Sequence, residues 1–528
     1  MKILNNIYIQ ILCVLATTLC MHSCSCNKGD EGAEAVKLDN QIKTILSDDV
    51  SVVTVLNIER LFSETGVTVN EGKINLPTYM RDFINSMVSS DDRADLNEVL
   101  DKVQGIAYQN AVMAIKGTKN AEEGIIVFGV NDEDQFIESI TEGRKGSVGE
   151  VEDYTTVSVG HNQILIKDHL AFVVNKNGKP VASKEAAQIV NDWKKDAENK
   201  PLADWKKNYL SESRVVSMLI DNKWGANLSH DGRIIIGALG KIGMSKAESG
   251  FTAMGFNLNG PSVELKTTMF DISGQNVPFD IAGNFNTDLM KYAYPKDILA
   301  LGGSVNEKGR GYISDFMMAQ FDDEQYHTGE NVSKQKEMFD KYMQCFGEGG
   351  MFVSIGLAEG VDLSNFNYSS SDSYHFVIAN NAANGKAAEL YSMVCTNIGE
   401  MAAKKLSETN VNGMRITTFE IPDIFSSYSY YSKNIPLYIA LDGDNIVISN
   451  DEIRRNDVYP FNKNVFAGSL FAAQAVVPSD NEMISQFINK LGVDIELSVK
   501  PAGAEAKMTL SNTSKNFIQA YLENIPRL

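Results

Sequence analysis

The residues of this 528-residue chain that could perform catalysis are scattered and form no recognisable motif. A Gly-x-Ser-x-Gly turn for a nucleophilic serine is absent, as are His-Glu-x-x-His and paired Cys-x-x-Cys metal sites. A glycosidase needs two carboxylates that approach in space, and 68 acidic residues nominate no particular pair. The histidines of the body are expected to be solvated or to cap turns and strand ends, namely His161, His169, His230, His327 and His375. The sequence therefore predicts no catalytic residue, no metal ligand and no cofactor.

Two short segments come close to ligand-binding motifs. Asp442-Gly443-Asp444-Asn445 has oxygen ligands at the close spacing of a calcium loop, but it lacks the later bidentate glutamate. Because Asp-Gly is a favoured hairpin turn, we predict a turn there. Gly237–Gly243 is similar to a phosphate-binding loop, yet Ile242 stands where a Ser or Thr would hold magnesium. We predict that its glycines end a helix.

The N-terminal segment predicts where the protein resides. Lys2 precedes an apolar run from Ile7 to Leu19, which is the pattern of a secretory signal peptide. The run is shorter than the roughly 20 apolar residues that a membrane span needs.

The cysteines after this run give Cys24 a chemical role. Met21-His22-Ser23-Cys24 resembles a lipobox, the processing site of bacterial lipoproteins, although His22 departs from the usual small residue. The resemblance implies a signal peptide over residues 1–23 and lipid, such as palmitate, on Cys24. Cys26, which follows Ser25, is the alternative site. Several acyl chains, at about 0.8 kcal/mol per buried methylene, would make the anchor effectively permanent.

Residues 24–44 are expected to be a flexible acidic tether. Asn27–Glu34 is small and acidic and has no periodic apolar residues. It resembles the acidic run after the lipidated cysteine in surface-exported Bacteroidetes lipoproteins, and an ordinary solvated leader is the alternative. We expect an outer-membrane lipoprotein, either periplasmic or surface-exposed.

Charge and composition exclude several partners. The formal net charge is −20, which argues against nucleic acid, because Lys and Arg dominate binding to phosphates. It also argues against charge-driven adhesion to anionic lipid, so contact with the membrane is expected only through the N-terminal lipid. A hydrophobic content of 43% leaves ample apolar surface for a core.

Cys345 and Cys395 are the cysteines outside the leader, and the sequence leaves open whether they pair.

The body repeats one order of predicted elements. Val52–Leu56 is strand-like and is followed by helical stretches, two strands, a helix and hairpins. Ile298–Leu301 opens the same order again, and Gly385–Lys405 is its long helix. We predict an α+β fold with two tandem copies of a module, over 45–280 and 281–528. Each module would be an antiparallel sheet with helices packed on one face.

The firmest sign of duplication lies at the ends of the two copies. One constant offset aligns Glu264, Lys266, Thr268 and Ser273 with Glu505, Lys507, Thr509 and Ser514. These identities lie in short ungapped segments that each follow a turn with a proline. We therefore interpret the body as a tandem duplication.

The layout also resembles a family of uncharacterised Bacteroidetes lipoproteins that is known only as a domain of unknown function. The resemblance lies in the leader, the early strand Ser51–Ile58 and the block Ile164–Tyr209, and it would cover nearly the whole mature chain. It implies a fold and an envelope location, and it transfers no functional residues.

One insertion distinguishes the second copy and is the best candidate for a binding surface. Residues 422–432 are rich in tyrosine and serine, which recognition loops use for rigid aromatic area and adaptable hydrogen bonds. The candidate partner-binding residues are Phe425, Tyr428, Tyr430 and Tyr431. Phe366-Asn367-Tyr368 is a second run of this kind. The alternative is that these aromatics pack the loop onto its own module.

Trp193 and Trp205, in two Asp-Trp-Lys-Lys segments, are expected to dock their helix.

Together these features predict a lipid-anchored envelope protein that binds a protein or glycan partner without catalysis. One alternative is a carboxylate-dependent hydrolase of unfamiliar type. The other is an envelope scaffold or assembly factor that presents sheet edges or faces to another protein.

Overall fold

The computed structural model describes most of the chain after residue 36, in two compact units. The first unit contains the described residues up to Val277 together with Ser514–Glu523, and the second contains those of Pro278–Thr513 together with Asn524. The described residues are 37–70, 73–87, 104–118, 121–141, 146–159, 162–228, 244–321, 330–358, 361, 373–400, 404–422, 434–477 and 491–524.

The first unit is an antiparallel sheet with helices. Its strands are β1 (Val52–Asn57), β2 (Thr68–Asn70), β3 (Lys73–Asn75), β4 (Ile106–Thr118), β5 (Ala121–Val130), β6 (Ser147–Val151), β7 (Tyr154–Val159), β8 (Asn162–Lys167), β9 (Leu170–Lys176), β10 (Lys179–Pro180), β11 (Val216–Asp221), β12 (Phe251–Asn259) and β13 (Ser262–Phe270). Its helices are α1 (Leu38–Ile45), α2 (Ile58–Thr65), α3 (Thr78–Met87), α4 (Glu133–Thr141), α5 (Ser183–Asn199), α6 (Asp204–Leu210), α7 (Asn222–Leu228) and α8 (Ser245–Glu248). The sheet order is β13-β12-β11-β1-β4-β5-β9-β8-β7-β6, with β10 beside β9 and β2 paired with β3.

The second unit has the same architecture. Its strands are β14 (Asp297–Gly303), β15 (Phe346–Leu357), β16 (Tyr374–Ala382), β17 (Lys404–Val411), β18 (Met414–Pro422), β19 (Asn434–Asp442), β20 (Asn445–Ser449), β21 (Phe471–Val477), β22 (Gly492–Lys500) and β23 (Gly503–Ser511). Its helices are α9 (Glu307–Phe321), α10 (Glu330–Cys345), α11 (Ala387–Glu400) and α12 (Lys463–Phe466), with a 3₁₀ turn over Thr287–Tyr292. The antiparallel order is β23-β22-β21-β14-β15-β16-β20-β19-β18-β17. The α+β prediction with an antiparallel sheet is confirmed.

The two sheets follow the same order of strands, and local details recur at equivalent places. The β12–β13 hairpin closes on the pair Asn259 and Ser262, and the β22–β23 hairpin closes on Lys500 and Gly503. These positions differ by the offset that aligns Lys266 with Lys507. A shift in register also occurs near the start of β4, after Ala107, and near the start of β15, after Phe346.

Helices cover both faces of the first sheet, whereas the sequence predicted one covered face. In β5, Ile125 and Val127 belong to one core while Ile126 and Phe128 belong to the other. The first core contains residues of α1, α5 and α6, and the second contains residues of α2, α3 and α4. Because this strand is apolar on both faces, each face must be shielded from water.

Three other boundaries differ from the sequence prediction. Residues 38–44, assigned to the tether, lie in α1, whose Ile42 and Ile45 are fully buried in the first core. Residues 514–523, assigned to the second module, belong to the first unit, where Ile518 and Leu522 of α13 (Phe517–Asn524) pack on the second core. The helix predicted to reach Lys405 ends at Glu400, because the ladder between β17 and β18 overrides the local helical pattern.

The tryptophans dock helices, as predicted. Trp193 of α5 is 1% exposed and lies in the first core. Trp205 of α6 packs against Phe251 and Phe270 at ring centroid distances of 5.6 and 5.3 Å.

Candidate ligand-binding cavity

The main candidate residues from the sequence lie outside the described residues. These are Cys24 with its alternative Cys26, and Phe425, Tyr428, Tyr430 and Tyr431. The same holds for Gly237–Gly243, Phe366–Tyr368, His161, His230 and His327.

The strands that flank the two tyrosine-rich segments are nevertheless described. Residues 423–433 connect Pro422 at the end of β18 to Asn434 at the start of β19, and these two residues are cross-strand partners. The segment with Phe366–Tyr368 likewise connects the end of β15 to the start of β16, near the pair Leu357 and Tyr374. In the antiparallel order β15-β16-β20-β19-β18, both connections leave the same end of the sheet.

An apolar cavity of about 500 Å³ lies at this end of the second unit. Strands β15 and β16 contribute Val353, Ile355, Tyr374, Phe376 and Ile378. The rest of the lining is Ile398 in the last turn of α11, with Ile421, Pro422, Leu437 and Ile448 from β18, β19 and β20.

The cavity exists because these strands are apolar on both faces. Val353 pairs with Ile378, and Ile378 pairs with Ile448, so the lining forms a row across adjacent strands. The alternate residues, among them Phe352, Val377 and Val447, are buried in the core on the opposite face. Leu390 and Tyr391 of α11 pack on the cavity side of the sheet, and the cavity begins where this helix ends.

Described residues of α2, α3 and α4 pack on the corresponding face of the first unit. The strands at the same places in the order carry Ala111, Ile126 and Phe128, which share a core with Phe62 of α2 and Phe136 of α4. Phe128 and Phe136 make an edge-to-face contact with ring centroids 6.0 Å apart. The cavity therefore reflects a difference between the two units in what covers this face.

The lining selects for apolar ligands. Among the described lining residues, only Tyr374 has a polar side-chain atom, its hydroxyl. A buried sugar hydroxyl without a hydrogen-bond partner costs about 1–3 kcal/mol. The cavity suits a hydrocarbon surface and does not favour the glycan that the sequence suggested for the tyrosines.

A second cluster, around His375, is structural. The Nε2 atom of His375 bonds to Oδ1 of Asp297, and Oδ2 of Asp297 accepts the backbone N–H of Tyr294 at 2.9 Å. The Tyr294 ring lies 4.5 Å from the His375 ring, and burial raises the pKa of the Tyr294 hydroxyl. A Cβ atom on Gly356 would clash with the Asp297 and His375 side chains, so both pack directly against the backbone of β15. The prediction that His375 is solvated or a cap is wrong, because strand pairing buries it beside Asp297.

His169 fits the sequence prediction. It lies in the β8–β9 turn with a φ of 60°, and its Nδ1 atom is 3.2 Å from the carbonyl oxygen of Val130.

Asp442 ties a turn to the rest of the second unit. Asp442 and Asn445 close the β19–β20 hairpin, with Gly443 at a φ of 59°, so the predicted turn is confirmed. Arg455 donates to both carboxylate oxygens of Asp442 at 2.9 and 2.5 Å, and the Tyr292 hydroxyl donates at 2.5 Å. Burial alone raises the pKa of Asp442, but the bonds from Arg455 and Tyr292 outweigh it and hold the pKa below its usual value. These contacts occupy the carboxylate that a calcium site would have used.

Three further observations concern only the part of the chain that the structure describes. Cys345 and Cys395 are free thiols. No group of three or more His, Cys, Asp or Glu side chains converges as metal ligands would. No described helix is both long and apolar enough to cross a membrane.

Comparison with known proteins adds weak structural likenesses. No family model matches the chain, and no curated protein matches it. Among solved structures, crystal form IV of TP0453 is 12% identical with a TM-score of 0.27, over 46% of this chain and 83% of that one. Crystal form III of TP0453 is 7% identical with a TM-score of 0.22, over 78% of this chain and 92% of that one. At these TM-scores the likeness defines neither the fold nor the function of this chain.

Proposed function

We propose that this protein is a lipid-anchored protein of the cell envelope whose second unit binds an apolar ligand without catalysis. Acylation of Cys24, the outer membrane location and the acidic tether are supported by the leader, from Lys2 through the apolar run to the cysteines. The cavity in the second unit carries the binding part of the proposal.

The proposal includes a tandem duplication of one α+β module. Its support is the common strand order, the equivalent positions of the Asn259–Ser262 and Lys500–Gly503 hairpins, and the aligned identities of β13 and β23. In this account one copy keeps its sheet face filled and the other has opened it for binding.

The two described residues that flank the tyrosine-rich insertion adjoin the proposed site. They are Pro422 and Asn434, which are paired at the strand ends beside the cavity. Phe425, Tyr428, Tyr430 and Tyr431 lie between these two residues in the sequence and are our candidate contacts for the ligand. Aromatic residues supply apolar contact area at low entropic cost.

Filling the cavity should abolish ligand binding. We expect Ile378→Trp to weaken the binding of the apolar dye Nile red at least about tenfold, because the indole would occupy the centre of the lining row. The measurement is a fluorescence titration of the full chain carrying Cys24→Ala and Cys26→Ala, which removes both candidate acylation sites. Val353→Phe, a smaller increase in volume in the same row, is the second variant.

The matched control is Ile272→Trp, at an isoleucine that is 72% exposed in the first unit. This control should bind the dye as the parent does. If both cavity variants keep their circular dichroism spectra and still bind the dye with unchanged affinity, the proposed site is refuted.

A further inference from the structure

We infer that the occupant of the cavity is one unbranched acyl chain, supplied by a monomeric single-chain lipid. This inference rests on the proposed apolar-ligand function and names the ligand class. Three properties of the cavity support it: its shape, its volume and the chemistry of its wall.

The lining is long in one direction. Its residues come from β15, β16, β20, β19 and β18, which are neighbours in that order. Adjacent strands lie about 4.8 Å apart, so the lining extends about 19 Å across these five strands. Ile378 pairs with Val353 whereas Ile421 pairs with Ile435, so the lining crosses the sheet obliquely. A lining of this extent, called the slot below, has room for an extended linear chain.

The volume fits one chain. Benzene, with six carbons, occupies an apolar protein cavity of about 150 Å³. In the same proportion, 500 Å³ accommodates about twenty carbon atoms. That is one long acyl chain, whereas the two chains of a typical membrane phospholipid exceed it.

The chemistry of the described wall indicates which part of the lipid is buried. Val353, Ile378, Ile398 and Ile448 offer a ligand only hydrocarbon to contact, so a polar head group is expected to remain outside this part of the cavity. A single-chain lipid can bury its chain there while its head group stays in water. We therefore commit to single-chain lipids such as fatty acids.

The test is displacement of Nile red from the full chain carrying Cys24→Ala and Cys26→Ala. The competitors are saturated fatty acids of increasing length, below their micelle concentrations. Affinity should rise about fourfold for each added methylene, the ratio that corresponds to about 0.8 kcal/mol, and level off when the slot is full, at about twenty carbons or fewer.

Undecanoate and adamantane-1-carboxylate form a matched pair, because both have eleven carbons and one carboxylate and they differ in shape. Undecanoate should displace the dye at least tenfold better.

The outcomes distinguish a failure of the acyl-chain inference from a failure of the proposed apolar-ligand function. If the dye binds and Ile378→Trp blocks it, but the two carboxylates displace it equally or chain length has no effect, the acyl-chain inference is overturned and apolar-ligand binding stands. The same holds if neutral diacyl phospholipid vesicles compete and monomeric fatty acids do not. Dye binding that Ile378→Trp leaves unchanged would remove both.

Discussion

Replacing Trp193 with alanine is expected to lower the free energy of unfolding of the first unit by about 3–5 kcal/mol. The indole is 1% exposed and fills the core between α5 and the sheet. Its Nε1–H donates to Glu123 at 3.3 Å, and the Lys116 ammonium lies 4.8 Å from the ring centroid. The alanine variant loses these contacts and leaves a cavity that the surrounding strands cannot close. Urea denaturation followed by far-UV circular dichroism measures the loss.

Trp205→Ala is the matched control, because the same four residues, Asp-Trp-Lys-Lys, surround both tryptophans. Trp205 is only partly buried, against Phe251 and Phe270. We expect it to cost about 1–3 kcal/mol. Equal losses for the two variants would show that Trp193 does not have the central place in the core that its burial implies.

Replacing Asp297 with alanine should destabilise the second unit by about 2–6 kcal/mol. The carboxylate accepts hydrogen bonds from the His375 ring, which is buried with it, and from the backbone N–H of the partly buried Tyr294. Without Asp297, both donors lose their acceptor, and a donor left unsatisfied costs about 1–3 kcal/mol. Denaturant unfolding of the variant measures the effect.

Two other variants define the origin of that loss. Asp297→Asn keeps an acceptor oxygen of the same shape and should lose less than the alanine variant. Asp280→Ala breaks an ion pair with Lys308 in which both side chains are nearly half exposed, and should cost at most about 1 kcal/mol. If Asp297→Ala proved as mild as Asp280→Ala, the buried His375 cluster would not contribute to stability as described.

The sequence predicted the elements whose signals are local. The β-branched run Val52–Leu56 predicted β1, and the Asp-Gly turn predicted the β19–β20 hairpin. Prediction failed where a distant partner decides the outcome. Lys404 and Lys405 continue a helical pattern, yet they form a strand because β18 is available to pair with them.

The candidate site lay almost wholly beyond sequence reasoning. The cavity exists because α11 covers only part of one face of β15, β16 and β20. The local sequence pattern of a strand does not indicate how much of its face a helix will cover. His375 and Asp297 are 78 positions apart, so their contact follows only from the pairing of β14 with β15 and of β15 with β16. The tyrosine-rich insertion was the one usable signal, because its ends, Pro422 and Asn434, adjoin the cavity.

The central claim is that an apolar ligand lies within the row of isoleucines in the second unit. The most direct test is a nuclear Overhauser measurement on the full chain with Cys24→Ala and Cys26→Ala, deuterated except for labelled isoleucine methyl groups and saturated with protonated dodecanoate. We expect cross-peaks from the chain methylenes to the methyl groups of Ile355, Ile378 and Ile448. Saturable binding with cross-peaks only to isoleucines elsewhere, such as the exposed Ile272, would contradict it.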